Sequence, residues 1–173
     1  MGFALRRRQG RSGFDTVSRL DLIRRIEAGQ GGFLVFALTP PRLATERDEA
    51  QDIADATIAR LLPLDLDGLI LYDIDDETDR NPAERPFPFM PTLDPGDYLA
   101  NHLAAWPSPV VVYRAVSKYA PAELRSWFSA QDPGQVMTVL VGAPSRATAG
   151  RTSLADAQAL RRDTNPALSL GET

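Results

Sequence analysis

Apolar residues along the chain gather into four short, nearly unbroken runs: 33–38 (Phe-Leu-Val-Phe-Ala-Leu), 68–72 (Gly-Leu-Ile-Leu-Tyr), 109–113 (Pro-Val-Val-Val-Tyr) and 136–141 (Val-Met-Thr-Val-Leu-Val). Runs of this length, rich in β-branched and aromatic residues and without polar alternation, predict strands buried on both faces. The first is stopped at once by Pro40 and Pro41, which cannot continue a ladder.

Helical patterns fill the intervals. Thr45 reads as an N-cap followed by Glu46, Asp48 and Glu49 in a first turn, and Ile53, Ala54, Thr57, Ile58, Leu61 and Leu62 keep helical spacing up to Pro63. Asp94 and Pro95 open a second helix, in which Tyr98, Leu99, His102, Leu103 and Trp106 share a face. Pro121 opens a third, with Leu124, Trp127 and Phe128, and Ser153 with Asp156 caps a fourth running through Leu160 and Arg162. Ahead of the first strand, Ser18 and Asp21 predict a short helix carrying Leu22, Ile23 and Ile26 and ending at Gly29, placed to cover the bottom of a sheet. Strand and helix alternate throughout, so the fold class is α/β with parallel βα repeats, about four units of them. Residues 165–173 fall where a fifth strand would begin.

Composition narrows the function classes. The chain has 173 residues, 43% hydrophobic and 24% charged, which suits one globular domain. Without cysteine there is no disulfide or thiolate metal site, and His102, the single histidine, excludes a multi-histidine cluster, so a metal centre of either kind is not expected. No run approaches the length of a membrane span and the start lacks a signal-peptide core, which predicts a cytoplasmic protein without a membrane partner. The net charge of −4 is uneven: the first 25 residues hold seven arginines against Asp15 and Asp21, a local +5, leaving −9 on the remainder. Residues 1–13 read as a disordered basic arm and residues 14–173 as the domain, whose negative body predicts no nucleic-acid partner.

In parallel α/β sheets ligands bind beyond the carboxyl ends of the strands, so candidate chemistry is sought there. After Tyr72 comes a long insertion with five carboxylates, Asp73, Asp75, Asp76, Glu77 and Asp79. In an extended backbone Asp73, Asp75 and Glu77 point one way, a candidate for Mg²⁺, Ca²⁺ or a cationic ligand, though without the glycine of a Ca²⁺ loop; a solvated acidic loop pairing with Arg80 and Arg85 is the plainer reading. Phe87 and Phe89, between prolines, either close over a pocket or anchor the loop. Arg114 and Lys118 follow the third strand and are candidates for a carboxylate or phosphate, against the plainer reading of surface cations. His102 reads as a packed or boundary residue of its helix, and Ser117, Ser145 and Ser153 have no histidine partner, so triad hydrolysis is not expected. Gly29-Gln30-Gly31-Gly32 precedes a strand rather than a helix and is not read as a phosphate loop; no Gly-x-Gly-x-x-Gly follows any strand.

Over residues 32–145 the chain resembles the first half of the methylenetetrahydrofolate reductase family, flavin-dependent (βα)8 barrels. Phe36-Ala37-Leu38-Thr39-Pro40-Pro41-Arg42 lies where that family has Phe-Glu-Phe-Phe-Pro-Pro-Arg, and Tyr72 takes the place of the tyrosine in a Thr-Tyr-Gly strand end. Val141-Gly142-Ala143 occupies the place of Arg-Gly-Asp, and Pro121-Ala122-Glu123-Leu124 is similar to a Pro-Asp-Glu-Leu helix opening. The resemblance implies a partial (βα)8 TIM barrel, a folate-like small-molecule ligand and FAD, with Tyr72 and Gly142 at matched positions on the cofactor side and Tyr113 where the family places a histidine by the flavin; Asp73, Asp75, Glu77 and Arg114, singled out from the residues, are the candidates for the substrate side. It also implies two losses: the family's folate-protonating glutamate is Ala37 here, and its flavin-side aspartate is Ala143. A methyl cannot transfer a proton, so reduction would need another acid, Tyr113 or a carboxylate of the 73–79 loop.

Four strands are half of a barrel whose usual size is about 250 residues. The expectation is therefore a truncated or degenerate relative in which FAD affinity is poor, or a non-catalytic module that self-associates through open sheet edges.

Overall fold

The computed structural model describes residues 22–74, 91–142 and 151–172. Five strands, β1 (Val35–Leu38), β2 (Gly68–Leu71), β3 (Val110–Ala115), β4 (Val136–Val141) and β5 (Leu170–Glu172), form one sheet in chain order, and every neighbouring pair is parallel. Helices α2 (Arg47–Leu61), α3 (Pro95–Asn101), α4 (Pro121–Ala130) and α5 (Leu154–Thr164) make the crossovers, and α1 (Leu22–Glu27) precedes β1. Parallel strands in unbroken sequential order are the winding of a βα barrel, whereas a doubly wound sheet reverses its order part-way. The chain is thus a part of a TIM-like barrel.

Strand alternation gives the sheet two different faces. Leu69, Leu71, Val110, Val112, Val136 and Leu140 enter the core shared with Ala54, Ile58, Tyr98, Leu124 and Phe128 of the helices. Their neighbours Ile70, Val111, Tyr113, Met137 and Val139 point the other way, to the inner face, where Ile23 and Ile26 of α1 pack against them. α1 lies at the amino end of the strands: Arg25 pairs with Asp67 just before β2 at 3.2 Å, and the other Asp67 oxygen accepts from the Leu34 N–H at 2.7 Å. That leaves the carboxyl ends free of α1, as the sequence predicts for a bottom-covering helix.

Within residues 165–173, where a fifth strand is expected to begin, Leu170–Glu172 pairs with β4 through Thr138↔Leu170 to Leu140↔Glu172. The structure corrects three expectations. β1 is shorter than 33–38 and is not buried on both faces: among the described residues it pairs with β2 alone, at the end of the sheet, and Leu34 is 60% and Phe36 42% exposed. α3 ends at Asn101, where His102 leaves the helical region; Leu103 and Trp106 pack on the core from the following turn. Thr45 does not cap α2: the cap position falls one residue later, to Glu46, whose side chain makes no capping hydrogen bond, while Thr45 belongs to the turn in which its N–H donates to the Arg42 carbonyl. The predicted cap of α1 at Ser18 and the arm at 1–13 lie outside the described residues.

Close packing at the amino end depends on Gly68. A Cβ there would sit 2.5 Å from the Pro109 carbonyl oxygen and 2.6 Å from Leu22 Cδ2, whereas one at Gly31 would meet nothing within 4 Å. Gly68→Ala is expected to destabilise the fold by about 2 kcal/mol through overpacking, with Gly31→Ala near neutral, as read from urea denaturation midpoints.

Candidate functional site

The inner face at the carboxyl end of the sheet presents an aromatic pair. β2 and β3 are in register through Leu71↔Val112, so the next residues, Tyr72 and Tyr113, emerge side by side. Their ring centroids are 4.9 Å apart and the planes are inclined at 58°, within the range of favourable aromatic contacts. Tyr72 is 37% exposed and Tyr113 half-buried. One row toward the amino end lie Ile70, Val111 and Met137, and Ala37 pairs with Ile70 at the open edge. The resemblance-derived position of the lost acid is therefore on the same face as the tyrosines, but exposed and on the edge strand.

Each tyrosine is followed by a charged residue that alternation sends to the opposite side. Asp73, whose side chain is fully buried, accepts from the Ala115 N–H at 2.8 Å, from the Tyr119 hydroxyl at 2.7 Å and from Lys118 Nζ at 2.6 Å. Lys118 also donates to the Ile74 carbonyl at 2.9 Å. Arg114, 3% exposed, donates through Nη1 to both oxygens of Asp94, at 2.7 and 2.9 Å. Its guanidinium lies 4.0 Å from the Tyr119 ring centroid and 4.7 Å from that of Trp127, a cation held between aromatic faces. Gly96 closes this assembly: a Cβ there would run into Trp127 Nε1. Burial alone would raise the Asp94 carboxyl, but Arg114 and the Asp97 N–H more than offset it and hold it below the usual carboxylate range. Burial pushes the Tyr119 phenol well up, so it remains a donor to Asp73.

These contacts place the sequence candidates. Tyr72 and Tyr113 come together. Asp73 and Arg114, expected on the substrate side, have structural partners on the helix side, and Lys118 is tied to Asp73. A Cβ at Gly142 would face Leu154 of α5 at 3.9 Å. Asp75, Glu77 and Ala143 lie outside the described residues, as do Phe87 and Phe89. His102 sits at the end of α3, its Nδ1 3.1 Å from Gln51 Oε1. A cleft of about 460 Å³ between α3 and α4 opens on the helix side over the Arg114–Asp94 pair, whose charges already answer each other. Sequence reasoning missed Tyr119 and the pairing of Asp94 with Arg114. Period-two counting from inward Tyr113 would have sent Arg114 outward, but nothing in the sequence names its acceptor.

With the two cations engaged, the phosphate grip that FAD needs is not supplied by Arg114 or Lys118, and no carboxylate stands at position 37. Among the described residues there is likewise no group of three metal-ligating side chains, and no helix is long and apolar enough to cross a membrane.

Neither a family model nor a curated protein matches the chain. Among solved structures it is similar to an uncharacterised protein from Clostridium thermocellum that binds two copies of 5-methyl-5,6,7,8-tetrahydrofolic acid. The two share 32% identity with a TM-score of 0.69, over 87% of this chain and 47% of that one. This chain thus spans about half the length of the solved structure it matches.

Removing the anion beside Arg114 tests the helix-side pair. Because Asp94 titrates lower when folded, its contribution is present above the unfolded carboxylate pKa and is lost as pH falls through the folded one. Asp94→Asn is expected to cost about 3 kcal/mol near neutral pH, since it strands a buried guanidinium, with the variant and parent converging on acidification below pH ~4. Urea denaturation across that range checks both the size and the sign.

Proposed function

We propose that this chain binds a reduced folate on the inner face of its sheet, against the Tyr72–Tyr113 pair, as a cytoplasmic protein similar to the methylenetetrahydrofolate reductases. The observation that carries the reading is the 32% identity, over 87% of the chain, to a protein that binds 5-methyl-tetrahydrofolate. The local chemistry supports it. A pterin ring is flat with polar edges; the tyrosines offer a ring face with phenolic hydroxyls at its margin, and Ile70, Val111 and Met137 lay an apolar floor beneath. In this proposal Tyr113 is a binding residue, and Gly142 borders the same rim at the end of β4.

The proposal is one of binding. Flavin-dependent reduction, which the family resemblance implies, needs an acid and a dinucleotide grip that Ala37, Arg114 and Lys118 do not supply. Titration with 5-methyl-tetrahydrofolate, followed by protein fluorescence, is expected to give saturable binding, weakened about tenfold by Tyr72→Ala or Tyr113→Ala, the worth of one aromatic contact. Purified protein is expected to show no flavin absorbance. Absence of folate binding by the parent chain would overturn the reading.

A second reading, self-association, is favoured by the free edge of β1, where Leu34 and Phe36 expose apolar surface beside unpaired backbone. Light scattering after size exclusion is expected to give a dimer, and Phe36→Glu a monomer. A parent chain that is already monomeric removes this second reading and leaves the first untouched.

A further inference from the structure

The strand ends that carry the two tyrosines are built alike. Tyr72-Asp73 closes β2 and Tyr113-Arg114 lies near the end of β3, each with an aromatic ring to the inner face and a charge to the helix side. What joins them differs below and above the tyrosines. Up to Leu71↔Val112 the two strands are in ladder register, and the ladder ends at that pair. β3 continues to Ala115, paired only with β4 there. The Ala115 N–H, which a continuing ladder would give to the main chain of β2, goes instead to Asp73 Oδ2 at 2.8 Å. The same oxygen takes the Tyr119 hydroxyl, and Oδ1 takes Lys118 from the turn after β3.

The geometry points to Asp73 as a positioning residue for the ligand platform: its buried carboxylate takes the ladder amide of Ala115 and holds Tyr72 against Tyr113. Tyr72 is the neighbour of Asp73 in the chain, and Tyr113 lies two residues before the amide that Asp73 binds. A loss at Asp73 therefore frees the β2 end just where the ring pair forms. Three donors from β3 and its turn converge on this one carboxylate, so its removal leaves a buried amide, a phenol and an ammonium without their acceptor. Asp73 touches no ligand in this account; it acts through the tyrosines.

The affinity readout rests on the folate proposal, but the ring readout does not, and the experiment uses both. Ring-labelled tyrosine NMR of the protein without ligand is expected to show the Tyr72 and Tyr113 resonances moving toward free-tyrosine values in Asp73→Asn and Asp73→Ala. The Kd for 5-methyl-tetrahydrofolate is expected to rise about tenfold in the same variants, the usual worth of a hydrogen bond to a charged group. In a Tyr72→Ala background the Asp73 substitution is expected to add no further loss, which a general loss of stability would not reproduce. Should either variant fail to fold, Lys118→Met, which removes one of the three donors, carries the same comparison. Unmoved ring resonances, or an Asp73 effect undiminished without Tyr72, would overturn the inference. If the rings move but the parent chain binds no folate, the positioning role stands and the folate proposal falls.

Discussion

The parallel register of β2 against β3 is the constraint from which the rest of the arrangement follows. Leu69↔Val110 to Leu71↔Val112 sends one set of side chains to the helices and the other to the inner face. A slip of one residue would exchange the sets, burying Ile70 and Tyr72 among the helices and turning Leu69 and Leu71 to the opposite side. The slip is opposed from both ends. At the amino end Gly68 fits against the Pro109 carbonyl and Leu22 with no room for a Cβ, and at the carboxyl end Asp73 reaches the Ala115 amide. Packing at one end and charge at the other thus hold the same alignment.

The charged groups near the site are oriented by this alignment rather than by a ligand. Two buried ions, Asp73 and Arg114, are each costly to desolvate, and each is answered by a counter-ion and further contacts: Lys118, the Tyr119 hydroxyl and an amide for one, Asp94 with the faces of Tyr119 and Trp127 for the other. Tyr119 belongs to both groups, since its hydroxyl serves Asp73 while its ring covers Arg114. The ends of β2 and β3, the start of α3 and the turn leading into α4 are therefore coupled through one phenol. Such a network rigidifies the β2 and β3 ends, because its directional bonds are satisfied together in one placement of the two strand ends.

The fold was legible because the four apolar runs and the helical intervals between them agree at every level. What was not legible came from context. The run at 33–38 has the composition of a central strand and lies at an edge, because composition records what a strand can bury and not whether a neighbour is there to bury it. β5 was legible only as a place in the alternation, within 165–173, because three residues, Leu170, Gly171 and Glu172, are too few to carry a period. Tyr72 and Tyr113 were readable from their places at strand ends, but their contact needed the register. Asp73 and Arg114 were read as open to a ligand because charge at a strand's carboxyl end has that association; period-two alternation, applied one residue beyond each tyrosine, argues for the helix side instead.

The composition of the inner face bears on what chemistry it can host. Beneath the tyrosines the row of Ala37, Ile70, Val111 and Met137 offers no acid, and Ala37 is the sole exposed member, on the edge strand. A carboxyl group placed farther in along this row would face apolar neighbours without a donor to steady its charge, and burial would raise its pKa. At the edge position, where a carboxylate would be both near the platform and hydrated, the side chain is a methyl. Among the described residues, then, the inner face has aromatic rings above, an apolar floor below and its charges turned to the far side, which favours holding a flat ligand over donating a proton to it from this row.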